Sequence, residues 1–421
     1  MINKLKGLKK NIKNDLIVFG ATGFTGKLVV EYLIKHYGLE NQKFTWAIAG
    51  RDKAKLEELK QSFICIDPKS ASIDTFVADS FDSKSLDNLA SSCSTIISTV
   101  GPYLKYGLPL VESCVKNHTH YCDLTGEVPF IRESIDLFHE KAIKNKCKII
   151  HSCGFDSIPS DLAVLLLQKN SLERFNKVCD DVNLYVRSIK GGLSGGTISS
   201  IINISKYIDS HPEKKSVLKS PFSLNPIDKI KNNVRQPVLK SIRWDSSFNK
   251  WICPFLMSGI NTRIVHRTNA VTEFSYGKNF RYNEVSSFDS GFNGFLKAFN
   301  MLMTLFFLQL CLRTNLLIWI LKKTIFPKPG EGPSKHKMKN GFFKMKIIGF
   351  INKIRKNSVT VTGDSDPGYS ATAKMLTESA ICILLNENRI PKKYGVLTPA
   401  SGIGLILIER LKEKGISFTI D

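Results

Sequence analysis

Gly20, Gly23 and Gly26 recur every third residue in the run Gly20-Ala21-Thr22-Gly23-Phe24-Thr25-Gly26. The run follows an apolar stretch, 15–20, that reads as a buried strand. It precedes a segment with Leu28, Val29, Leu33 and Ile34 at helical spacing. Glycines between a strand and a helix suit phosphate chemistry. One permits a tight turn, and the others let backbone N–H groups approach a pyrophosphate at the helix N-terminus, where the dipole favours the anion. All seven residues are therefore expected to cradle a dinucleotide. A P-loop nearly fits the same run through Gly26-Lys27. It is excluded because its first glycine is Ala21 here and its Mg²⁺-binding hydroxyl is replaced by Leu28.

Further cofactor contacts are expected at the ends of the following strands. The second strand closes on Gly50, Arg51 and Asp52. An acid there takes the ribose hydroxyls of NAD, whereas an arginine accommodates the 2′-phosphate of NADP. Arg51 stands first, with Lys53 and Lys55 near, so NADP is favoured over NAD; Asp52 is either a ribose ligand or a helix cap. Asp79 either approaches the adenine or forms a turn. Thr99, Val100 and Gly101 close the fourth strand beside the nicotinamide, with Tyr103 as a proton donor or, like Tyr106, a packing residue. Asp123 and Glu127 after the next strand, and Asp156 after the one following, are acids for the same cleft or caps of helices.

Two other constellations carry less. His118, His120 and Cys122 alternate along a strand, but a fourth ligand is missing, and no metal is expected. Gly192-Leu193-Ser194-Gly195-Gly196 has the form of a hydrolase elbow, yet it follows a complete dinucleotide-type region, and no clear Asp…His pair follows it. A glycine-rich substrate or phosphate loop is the better reading.

Strands and helices alternate through the first 170 residues: strands at 15–20, 44–50, 72–79, 94–101, 119–126 and 147–154, helices from 25 and over 53–63, 108–117, 129–145 and 160–169. That pattern predicts an α/β protein with a Rossmann-type, doubly wound parallel sheet. A second, inserted α+β domain follows, in which 260–271 reads as a strand with alternating faces. The expected division is a basic arm at 1–14, a dinucleotide domain at 15–175, a second domain at 176–365, and a C-terminal segment at 366–421 that returns to the first domain with helices at 370–387 and 398–415. Within the second domain, 292–321 is the most apolar stretch, and 322–356 holds eleven Lys or Arg against one acid, Glu331. Polar interruptions such as Lys297 and Arg313 argue against a simple membrane crossing. A helical hairpin in one leaflet or an amphipathic pair at the interface fits better, and the neighbouring cations attract anionic lipid at about 1 kcal/mol each. A buried or dimerising helix is the alternative, which leaves a homodimer open.

The 421 residues, 43% hydrophobic and 23% charged, exclude a disordered chain and a disulfide scaffold. The ten cysteines form no CxxC pair, and the start, MINKLKGLKKNIKND, lacks the apolar region of a secretory signal, so a reducing compartment is expected. The net charge of +23 concerns partners rather than fold. Nucleic acid is not expected, because no helix-turn-helix, zinc or aromatic-basic surface accompanies it.

Taken together, the motifs resemble the saccharopine dehydrogenase-like oxidoreductases, relatives of the bacterial trans-acting enoyl reductases. The resembling segments are DLIVFGATGFTGKLVVEYL, WAIAGRDKAKLEEL, TVGPYLKYGLPLVESC, HYCDLTGE, SCGFDSIPSDL, SGGTISS, FPKPGEGPS, GDSDPGYSATAKMLTESA and GVLTPASGIG, which span 15–420 in order. The resemblance implies a bipartite fold, a lipid or glycolipid pathway, and a place on lipid droplets or the cytosolic face of intracellular membranes, against a soluble cytoplasmic alternative. Gly20, Gly23, Gly26 and Arg51 match its cofactor positions, whereas 206–250 resembles it least. The expected function is NADP-dependent reduction of an enoyl or keto group on a small or lipid-like substrate. The alternative is a non-catalytic membrane-associated protein that keeps the fold.

Overall fold

A computed structural model describes residues 12–40, 43–191, 195–229, 234–311, 314, 317 and 332–421. In chain order its main elements are β1 (Asn14–Phe19), α1 (Phe24–Tyr37), β2 (Trp46–Gly50), α2 (Lys53–Ser62), β3 (Asp74–Val77), α3 (Ser83–Ser91), β4 (Cys93–Ser98), α4 (Tyr103–Lys116), β5 (His120–Asp123), α5 (Val128–Lys144) and β6 (Lys148–Ile150). There follow α6 (Ile158–Phe175), β7 (Asp181–Lys190), α7 (Gly195–Ser210), β8 (Arg243–Asp245), β9 (Lys250–Pro254), α8 (Ser258–Val271), β10 (Arg281–Phe288), α9 (Gly291–Cys311), β11 (Phe342–Ile351) and β12 (Ile354–Gly363). The chain ends with α10 (Thr372–Leu385), β13 (Gly395–Leu397), α11 (Pro399–Gly402), α12 (Ile406–Lys412) and β14 (Ile416–Ile420).

Two units result. The first takes the described residues up to Ile158, Gly332 and Gly368–Lys414. Its seven-stranded sheet, ordered β13-β6-β5-β4-β1-β2-β3, is parallel throughout. β1 and β2 are buried along their whole length, as strands of a doubly covered sheet must be. The order reverses at β1, whose neighbours are β2 and β4, so a ligand crevice is expected at its carboxyl end.

The C-terminal return is anchored by groups that hydropathy does not reveal. β13 extends the sheet beside β6, and the Lys148 ammonium donates to the carbonyls of Pro391, Lys393 and Gly402 at 2.6–3.2 Å. Burial lowers that ammonium to about 8. The buried Glu378 of α10 accepts from Tyr32, Tyr37 and Arg410 at 2.6–2.7 Å, joining α1, α10 and α12.

The second unit holds the mixed sheet β14-β12-β11-β7-β10-β9-β8. Four expectations are corrected here. The division falls at Ile158 rather than 175, because α6 spends its polar groups on the second unit: Asp161 accepts from Thr268 at 2.5 Å, and Gln168 brackets Cys179 at 2.7 and 2.9 Å. The stretch 260–271 is the helix α8, not a strand. Its buried Asn261, Arg263 and Thr268 find tertiary partners that β propensity cannot anticipate. Finally, the last strand of 366–421 does not join the first sheet; β14 pairs antiparallel with β12. The expected single helix at 398–415 is also divided, because Gly404 adopts a φ of +76° between α11 and α12.

Candidate nucleotide site

The glycine run is built to hold a phosphate close to the backbone. Gly20 has a φ of +87°, and a Cβ there would lie 2.7 Å from both Thr99 Oγ1 and Val100 Cγ2. A Cβ on Gly26 would collide with the Gly20 carbonyl oxygen and stand 2.9 Å from the Ala21 Cα, so α1 packs directly on the turn. Gly23 is the N-cap of α1 and brings no side chain to it. Among the described residues, the backbone N–H groups of Thr22, Phe24 and Thr25 have no partner. Unspent amides at a helix N-terminus, reached through a cradle without Cβ atoms, fit the pyrophosphate of a dinucleotide. Thr99 closes the cradle from the β4 side, with its hydroxyl donating to the Phe19 and Gly20 carbonyls at 3.2 and 3.1 Å.

Gly50 ends β2 and Arg51 follows it directly, on the adenosine side of the crevice. Asp52 is committed elsewhere: it caps α2 by accepting from the Lys55 N–H at 3.2 Å. Arg51 is exposed and its guanidinium has no partner among the described residues. A free cation beside a spent carboxylate favours the 2′-phosphate of NADP. Arg51→Asp should weaken NADPH binding about 100-fold, the loss of a charge-assisted bond plus a repulsion, and change NADH binding less than threefold. Fluorescence titration with both nucleotides checks this; equal losses would place Arg51 outside the site. Asp79 forms a turn, accepting from the Phe81 N–H at 2.8 Å.

On the other side of the crevice the candidate acids separate. Tyr103 is buried, and its hydroxyl donates to the Ser98 carbonyl at 3.0 Å. Burial raises that hydroxyl well above its ordinary value, so it keeps its proton, which the Ser98 carbonyl takes up in a hydrogen bond. Glu127 caps α4, accepting from the Tyr103 and Leu104 N–H groups at 3.0 and 2.8 Å. Asp123 is sealed in the interior. Its Oδ2 bonds His151 Nδ1 at 2.7 Å, and His151 Nε2 bonds the Ser134 hydroxyl at 2.8 Å. This acid–imidazole–hydroxyl line has no exposed end. Its work is to shape the loop after β6: Asp123 Oδ1 accepts from Ser152 N, and Ser152 sits at a φ of +61° with its hydroxyl on the Thr125 carbonyl at 2.7 Å. Phe155 N is then tied to Thr372 Oγ1 at 3.1 Å. The loop so fixed carries Asp156, which is partly exposed and has no partner among the described residues. Burial pushes its carboxyl up to about 6. Of Tyr103, Asp123 and Asp156, only Asp156 offers a free acid.

The other singled-out residues go to separate partners. His118 precedes β5 at a φ of +54° and bonds the Asn145 carbonyl, while His120 accepts from Lys148 N. Residues 192–194 of the Gly192–Gly196 run lie outside the described residues. Sequence reasoning missed Tyr369, whose ring meets Phe24 edge-on at 4.8 Å, and Gly332, where a Cβ would run into the Phe24 ring. Both stand in segments far along the chain, so local spacing gave no signal for them.

This fold and cradle define a dinucleotide-dependent oxidoreductase, and comparison with known proteins agrees. The profile of the saccharopine dehydrogenase NADP binding domain matches residues 16–150. A trans-acting enoyl reductase of Mycobacterium bovis is 32% identical over 419 residues, 96% of each chain, and one of Mycobacterium ulcerans is 31% identical over 417 residues, again 96% of each. The structure of apo saccharopine dehydrogenase (L-Glu forming) from Saccharomyces cerevisiae aligns over 97% of this chain and 99% of its own with a TM-score of 0.50 and 12% identity, a likeness of fold alone. The chain belongs to the family of the trans-acting enoyl reductases, saccharopine dehydrogenase-like oxidoreductases that bind NADP.

Proposed function

We propose that the chain uses NADPH to reduce an enoyl group, or failing that a keto group, of a lipid-like substrate at the cytosolic face of a membrane or lipid droplet. The observation that carries the chemistry is Asp156, an unpartnered acid held up to about 6 at the carboxyl end of β6. A reduced nicotinamide supplies the hydride for such a double bond. Asp156 holds the proton that completes the reduction, and the buried Asp123–His151 pair keeps its loop in place. The enoyl group is suggested by the names of the mycobacterial relatives. The reading is tested by following nicotinamide absorbance with long-chain 2-enoyl and 3-keto thioesters. Oxidation of NADPH by the enoyl or the keto compound and not by the saturated counterpart supports it; oxidation by neither the enoyl nor the keto compound defeats it.

The lipid surface is supported by α9. Its apolar window has a mean hydropathy of 1.5 and is 17% buried. Among the described residues it is the one helix long and apolar enough to cross a membrane. Phe292, Leu296, Phe299, Met303, Phe306 and Leu310 are spaced four and three apart and all exposed, one stripe along the helix. Its N-terminal end is fixed to β9, where Trp251 stacks edge-on with Phe295 at 5.2 Å and donates to the Gly291 carbonyl. A stripe this long on an anchored helix suits insertion into the interface. Replacing Phe306, Phe307 and Leu310 with Ser should reduce co-sedimentation with anionic liposomes more than tenfold, at about 2 kcal/mol per side chain withdrawn from lipid, and leave NADPH binding intact. Undiminished liposome binding would show that α9 is not the anchor.

A further inference from the structure

Residues 235–240, Arg243 and Asn283 line a cavity of about 420 Å³ in the second unit. Arg235, Lys240 and Arg243 line it with the amides of Gln236 and Asn283, and no carboxylate lines it among the described residues. None of the three cations has a side-chain partner among the described residues. The nearest acid in sequence, Asp245, is already spent on the Tyr185 hydroxyl at 2.7 Å and on the N–H and hydroxyl of Ser247 at 2.9 and 2.6 Å.

The cations are carried on a fixed segment. β9 pairs with β10 only over Val285–Phe288, which leaves the start of β10 open on that edge. The Gln236 side chain fills the opening, donating to the Phe280 carbonyl at 3.1 Å and accepting from Tyr282 N at 3.0 Å. Three residues on, Leu239 packs against Tyr185, Ile252, Val285, Ile348 and Phe350. Arg235 and Lys240 thus flank two anchors, and Arg243 comes from the edge strand β8. Three like charges held around one cavity repel each other, and a bound anion relieves that repulsion. Two guanidinium groups present paired N–H donors that match phosphate oxygens, and a phosphate monoester brings a charge of about −1.5 to −2 against the −1 of a carboxylate. The volume lies within the range of small-molecule sites.

We infer that this cavity is a binding site for a phosphate monoester, separate from the nucleotide cradle. The ester comes either from a free metabolite or from the headgroup of a lipid.

The test uses the full chain saturated with NADPH, so that the cradle is filled. Glycerol 3-phosphate is titrated calorimetrically, and binding to phosphatidylcholine vesicles is compared with and without phosphatidic acid. A variant carrying Arg235→Gln, Lys240→Gln and Arg243→Gln is set beside one with the same charge change elsewhere in the unit, Lys169→Gln, Lys177→Gln and Lys206→Gln. A circular-dichroism spectrum and a cooperative thermal melt like the parent's show that both have folded. The expected result is at least tenfold weaker binding of one probe by the cavity variant and little change in the control. Dependence in the glycerol 3-phosphate titration identifies a soluble ligand, and dependence confined to phosphatidic acid vesicles identifies a headgroup. If neither probe depends on these three cations more than on the control lysines, the cavity is not a phosphate site.

Discussion

Gly26→Ala should weaken NADPH binding at least 100-fold, whereas Gly23→Ala should weaken it tenfold or less. The two glycines look alike in the sequence and differ in what a methyl group would meet. At Gly26 it collides with the Gly20 carbonyl oxygen and crowds Ala21, both backbone atoms of the turn, which cannot swing aside as a side chain can. α1 would have to move off β1, taking with it the free N–H groups of Thr22, Phe24 and Thr25 that the pyrophosphate needs. At Gly23 the φ is −72° and the nearest neighbour, the Gly20 carbonyl oxygen, is 3.3 Å away, a contact eased by a few tenths of an ångström. A hundredfold loss is about 2.7 kcal/mol, modest beside the cost of rebuilding a turn. Titration of both variants with NADPH, with thermal melts to show that each is folded, reads the difference. Equal losses would mean that the phosphates do not sit where α1 meets the turn.

The parts of this architecture that were legible in the sequence are those where local chemistry and tertiary structure agree. The run 15–34 announces strand, glycine turn and helix within twenty residues, and Arg51 stands at a strand end recognisable from its apolar neighbours. The hidden parts depend on distant partners. β13 is three residues long, too short for any period, and is held by Lys148, which lies some 245 residues before one of its acceptors, Lys393. α8 misled because its buried face is polar: Asn261 answers Glu284 at 2.9 Å, and Thr268 answers Asp161 at 2.5 Å. Hydropathy assigns such residues to the surface. Among the acids, the strand-end rule placed Tyr103, Asp123, Glu127 and Asp156 around one crevice. It could not say that Glu127 would be used by α4, that Asp123 would be enclosed with His151, or that Tyr103 would turn to Ser98. Hydrogen bonds made between elements are what distinguish the free acid from the structural ones.

That distinction predicts opposite effects on stability and on rate for Asp156→Asn. Burial raises the carboxyl from 3.8 to about 6, so the folded state binds the proton more tightly than the unfolded state does. The stabilisation from the protonated form is fully present below about pH 3.8 and is lost as the pH rises through 6. At pH 8 the ionised group therefore costs up to about 3 kcal/mol, which an amide of the same shape removes. The variant should melt higher than the parent at pH 8, and the gap should shrink to about half by pH 5. The same substitution deletes the one acid of the four strand-end candidates that has no partner among the described residues. Turnover of an enoyl substrate should fall about 10²- to 10³-fold, and the parent's decline in rate above pH 6 should disappear, with NADPH affinity within threefold. A helix cap or packing residue would behave otherwise, because its loss lowers stability and leaves the pH–rate profile in place. A gain in stability together with a loss of turnover marks a group kept ionisable, at a cost to the fold, for the proton it carries. A variant that melts lower at pH 8 would remove Asp156 from the chemistry and leave the proton to come from the substrate's side of the crevice.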